Sequence, residues 1–135
     1  MKWVLGPRHS INGVVVQKNV TMGETTYQLS AIEREGAWIA EARKTPSGMR
    51  VGPPATASTA DDAIARLVRW LEWQRDHEDA LGALQMAEQT YHRAIAGSAF
   101  ASGLAEATEV QQEALQRIEE ARVRLEEIRQ NQPEV

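Results

Sequence analysis

The sequence predicts an α+β fold: a small three- to four-stranded antiparallel sheet followed by a long antiparallel helical hairpin, a coiled-coil-like arm. Three observations predict it. Before residue 59 the chain is rich in β-branched residues and alternates apolar with polar positions. After residue 59, apolar residues recur at spacings of three and four. Between the two lies "GPPATAS", a run of proline and small residues at 52–58.

The strands come first. "INGVVVQKNV" follows a turn-like Asn12-Gly13 and is dominated by valine. In "TTYQLSAIER", Tyr27, Leu29 and Ala31 point one way and Gln28, Ser30 and Ile32 the other. In "AWIAEAR", Trp38, Ala40 and Ala42 share a face opposite Ile39, Glu41 and Arg43. Met22-Gly23-Glu24 and Glu35-Gly36 are short glycine breaks of the kind hairpin loops need. A fourth short strand is expected at Met49–Val51, after the turn signal "TPSG". Trp3 and Val4 either start another strand or cover an edge. The two prolines of "GPPATAS" are expected to stop the sheet there, because proline cannot donate to a ladder. Residues 1–58 thus form a meander.

The helices follow. Thr59 is placed to cap a helix, with Asp61 and Asp62 in its first turn near the positive end of the dipole. Ile64, Leu67, Val68 and Leu71 form a face for the sheet. A second seam runs through Trp70, Trp73, His77, Ala80, Leu84, Ala87, Tyr91 and Ala94 at heptad spacing. Leu104, Ala107, Gln111, Ala114, Ile118, Ala121, Leu125 and Ile128 repeat the pattern. A reversal near Phe100 sets Ala94 against Ala107, Ala87 against Ala114 and Ala80 against Ala121, with Tyr91 opposite Gln111 and His77 opposite Leu125. Small residues facing one another would bring the helices toward the short end of the ~8–10 Å range. Gly97 is expected to end the first helix and Ser102 to cap the second. The expected elements within 59–130 are a helix over 59–96, a turn at 97–103 and a helix over 103–130. A flexible tail follows at 131–135. The first helix would extend ~55 Å, with only its first four turns on the sheet and the rest an arm.

Composition narrows the chemistry. The 135 residues suit one domain, with or without a helical extension. The absence of cysteine excludes disulfides, thiolate metal sites and thiol nucleophiles. Neither a leader peptide nor an apolar run long enough to span a membrane is visible, so a cytoplasmic protein with no membrane association is expected. Charge is uneven. Residues 1–58 hold seven Lys/Arg against four acids, a net of +3, and residues 59–135 hold eight Arg against fifteen acids, a net of −7. There is no Gly-rich phosphate loop, nucleophile elbow or His-Glu-x-x-His. Glu88 and His92, four apart, make at most half a metal site, and His77 reads as a hydrogen-bonded structural histidine. No catalytic residue, cofactor or metal is expected.

Leu81, Ile95 and Leu115 lie beside the seam, where a coiled coil usually carries charge. Apolar flanks of this kind mark partner surfaces. The leading expectation is therefore a non-enzymatic interaction or assembly module. Its hairpin would form a homodimer, a four-helix bundle, or dock another protein.

The segment "GAWIAEARKTPSGMRVGPPATASTADDAIARLVRWL" supports an alternative. Its order of strand, turn, basic strand and capped helix resembles the arm-binding domain of phage-type integrases and the AP2-type DNA-binding sheet. That resemblance implies a sheet entering the major groove, with Arg34, Arg43, Lys44 and Arg50 as its nucleic-acid contacts. The linker "GPPATAS" and the acids Glu33, Glu35 and Glu41 depart from the pattern. The segment is also similar to the HicB-type antitoxin module, without the strand that follows the helix there. The alternative is thus a nucleic-acid-binding regulator.

Overall fold

The structure, a computed structural model, describes residues 4–5, 15–98 and 104–135. It has five strands and two helices: β1 (Val4–Leu5), β2 (Val15–Met22), β3 (Thr25–Arg34), β4 (Ala37–Thr45), β5 (Arg50–Ala57), α1 (Ala60–Ser98) and α2 (Leu104–Gln130). They form two compact units. One holds the sheet, α1 as far as Trp73, and Pro133–Val135, and the other is Gln74–Gln132. The division falls inside α1 at Trp73, not at the sheet–helix junction near 58.

The sheet is an antiparallel meander in the order β1-β2-β3-β4-β5. The β2–β3, β3–β4 and β4–β5 turns each hold a left-handed glycine, Gly23, Gly36 and Gly48. At the β3–β4 turn both Glu35 (φ 53) and Gly36 (φ 82) are left-handed, as a two-residue primed turn requires. The expected faces are found. Leu29, Ala31, Ala40, Ala42 and Ala55 are buried on the inner face, where α1 lays down Ala63, Ile64, Leu67, Trp70 and Leu71. Four of the five sheet residues are alanine, so the helix supplies most of the bulk. The α1 start is capped as expected: the Asp62 amide donates to Thr59 Oγ1 at 3.1 Å.

Three expectations need correction. "GPPATAS" does not stop the sheet, since β5 runs from Arg50 to Ala57. The ladder goes around the prolines. Ala42 pairs with Val51 and Ala40 with Ala55, so Gly52, Pro53 and Pro54 bulge out of an edge strand where no ladder bond is required of them. Gly97 does not end the first helix. It lies within α1, outside the left-handed region. The end of the tail is docked: Pro133 and Val135 are half-buried and Val135 packs on the sheet core. The readings of Trp3, of a turn through 99–103 and of a Ser102 cap fall outside the described residues.

In the second unit α2 shows the expected period. From Glu106 to Gln130 its non-exposed residues are Ala107, Gln111, Ala114, Ile118, Ala121, Leu125 and Ile128. On α1, Ala80 is buried, and His77, Leu84, Ala87, Tyr91 and Ala94 are half-buried. Among the described residues, no helix is long and apolar enough to cross a membrane.

Candidate functional site

Two surfaces carry the candidate residues, one on each unit. On the sheet, the pairing register arranges the outer face in rows. Asn19, Gln28, Arg43 and Arg50 form one row across β2 to β5. Thr21, Thr26 and Thr45 form the next, with the Thr21 and Thr26 hydroxyl oxygens 3.2 Å apart. On the other side come Gln17, Ser30 and Glu41, then Val15, Ile32, Ile39 and Thr56. A shallow depression of about 190 Å³ is lined by Val15, Ser30, Ile32, Arg34, Ile39 and Glu41.

This register sorts the four basic candidates. Arg43 and Arg50 are direct cross-strand neighbours. Arg34 shares their face, but its partner Ala37 is six residues along β4 from Arg43, roughly 20 Å away. Lys44 pairs with Tyr27 and belongs to the opposite face. The two neighbouring arginines are also engaged locally. Arg50 Nη2 lies 3.3 Å from Glu41 Oε1, and Arg43 Nη1 donates to the Gly48 carbonyl at 3.2 Å. One acid is therefore built into the basic surface. All described tryptophans and both described tyrosines lie elsewhere: Tyr27, Trp38, Trp70 and Trp73 belong to the core side, and Tyr91 to the hairpin. Among the described residues, the outer face thus offers no aromatic platform for unstacked bases.

The hairpin surface is built differently. Its antiparallel sense is visible in the contacts. His77 Nε2 accepts a 3.3 Å hydrogen bond from Arg129 Nε, while Tyr91, far along α1, lines a groove with Leu115 and Ile118. Ala80 and Ala121, expected as partners across the seam, line a second groove together with Ala87, Arg117 and Arg124.

Two grooves flank the seam. One, of about 490 Å³, is lined by Glu88, Tyr91, His92, Leu115, Gln116, Ile118, Glu119 and Arg122. The other, of about 430 Å³, is lined by Ala80, Ala83, Ala87 and Ala121 and by the exposed Met86, with Arg117 and Arg124. The expected flank residues divide. Leu81 is half-buried, whereas Ile95 is 42% and Leu115 47% exposed. Met86, Val110 and Val123 are also exposed large apolar residues; Met86 and Val123 fall on outer heptad positions and Val110 on the flank opposite Leu115's, beside Gln111. The groove brings Glu119 to the side of Glu88 and His92, the half-site visible in the sequence. Even so, among the described residues no three His, Asp or Glu side chains are grouped to hold a metal ion.

No family model matches this chain, and no curated protein or solved structure matches it either.

Proposed function

We propose that this chain is a non-enzymatic interaction or assembly module that associates through its helical hairpin. One observation carries the reading. Among the described residues of Gln74–Gln132, the buried apolar ones are Ala80, Ala114, Ile118 and Leu125, while Met86, Ile95, Val110, Leu115 and Val123 are exposed. Two alanines, one isoleucine and one leucine are a small core for two helices of this length. Helices in proteins draw most of their stability from packing of an apolar face. The exposed aliphatic residues are the surface a partner would cover.

The alternative, a nucleic-acid-binding regulator, draws support from the row Asn19, Gln28, Arg43 and Arg50. Amide and guanidinium groups are those that pair with base edges in the major groove. Against it stand the separation of Arg34, the placement of Lys44 and the Glu41–Arg50 pair.

Size-exclusion chromatography with light scattering and absorbance at 260 and 280 nm separates the two. On the leading reading, protein purified at low salt elutes as an assembly with a protein-like absorbance ratio. A raised ratio that falls in high salt supports the alternative, because phosphate contacts release counterions and weaken with salt.

A further inference from the structure

Resting on the hairpin reading, we infer that the groove walled by Ala80, Ala83, Met86, Ala87 and Ala121 is a docking site for an acidic amphipathic helix of another protein. Its polar groups carry the inference. The Thr90 hydroxyl donates to the Met86 carbonyl at 2.9 Å, and Glu120 Oε1 accepts from Gln116 Nε2 at 3.3 Å, so neither needs a partner across the groove. Arg117 and Arg124 are the other two polar side chains of the lining. Glu113 and Glu120 stand four residues before them, the favourable spacing for an ion pair on one helix. Among the described residues, however, neither guanidinium closes an ion pair or makes a hydrogen bond. A cation covered by a partner must be met by an acceptor, since burying it unpaired is costly. A carboxylate meets this need best, because it takes the planar guanidinium fork with two bonds.

Charge and shape then describe the occupant. The unit Gln74–Gln132 is net acidic, with six arginines against eleven acids, yet this lining holds two arginines and one acid. A second copy, acidic over the same unit, is the poorer match. The groove has a volume of about 430 Å³, and beside its alanines stands Met86, 67% exposed. Small walls leave room for large apolar side chains, and an unbranched methionine adapts to them. The α1 wall runs from Ala80 to Thr90, roughly 15 Å, or about three turns of a partner helix. Arg117 and Arg124 are seven residues apart, so carboxylates at heptad spacing along one edge of that helix would meet both. A third helix laid between two others removes both walls from water at once.

The test uses the full chain and two fluorescently labelled peptides of about 21 residues, three heptads each. Both carry the same leucine stripe, flanked at heptad spacing by Glu in one and by Lys in the other. Fluorescence anisotropy is expected to show the Glu peptide binding about tenfold more tightly than the Lys peptide. The double change Arg117→Glu with Arg124→Glu is expected to reverse that preference, while Arg122→Glu, in the opposite groove, leaves it unchanged. Circular dichroism confirms that each variant is folded. Equal binding of the two peptides overturns the acidic occupant, and a preference reversed by Arg122→Glu alone overturns this groove. Both results leave the hairpin reading standing. A chain that dimerises by itself and becomes monomeric on the double change has a second copy in the groove, which overturns the helix of another protein. If neither peptide binds, this inference falls, and the mass of the chain alone decides the hairpin reading: a dimer retains it and a monomer removes it.

Discussion

Gly52 has φ +73, and a Cβ added there would lie 2.5 Å from Cζ3 of the Trp70 indole. Two separate costs therefore meet at one residue. Left-handed backbone strains any side chain by about 1–2 kcal/mol, and crowding a packed aromatic adds about 1–3 kcal/mol. Gly48 has the same φ of +73 but open space around it. Gly52→Ala is thus expected to destabilise by roughly 2–5 kcal/mol, and Gly48→Ala by only about 1–2 kcal/mol. Urea unfolding of the two variants checks this, and equal losses would mean that Trp70 does not occupy the space above Gly52. The sequence marks position 52 as a break but not its contact with Trp70. That contact arises only when the bulge of β5 is laid against α1. Thr59 was legible because its partner, the Asp62 amide, is three residues away.

Periodicity identifies which face of an element is buried. It does not fix how far one element slides along another. The buried and half-buried positions of α2 follow the expected seam from Ala107 to Ile128. The pairing of α1 with α2 is not set by period alone, because a shift of about one turn still brings seam to seam. Ala114 is buried in either register, so it tests the hairpin itself. Ala114→Glu places a carboxylate where it has no water, at a cost of several kcal/mol if it stays ionised. A lower melting temperature by circular dichroism is expected, and an unchanged melting curve would contradict the seam. The prolines of β5 teach the same lesson in the sheet. Pro53-Pro54 is incompatible with a central ladder but compatible with a bulge on an edge, and edge status is set by the order of strands.

At the scale of the molecule, the second unit is an excursion between two segments of the first. The chain leaves the sheet unit at Trp73 and returns to it at Pro133. Val135 then packs on the sheet core. Nothing in "QNQPEV" announces this, since a valine after proline and glutamate has no period to read. Removing Pro133–Val135 is expected to destabilise the sheet unit by about 1–2 kcal/mol, the scale of one partly buried valine. Unfolding followed by tryptophan fluorescence measures it, and an unchanged midpoint would show that the docked tail contributes nothing. The α+β class and the two helices were legible because each rests on local pattern. The association surface was legible only in part: Leu81, Ile95 and Leu115 carry apolar character where charge is usual, but the grooves that frame them depend on the helix register.

An interaction module of this kind must associate through its hairpin. Sedimentation equilibrium over a wide concentration range, on the intact chain and on Leu115→Glu, asks this most directly. The prediction is a mass rising to twice 15.0 kDa for the intact chain and staying near 15.0 kDa for the variant, with helix content retained. An intact chain and a variant that share one mass at every concentration would contradict it.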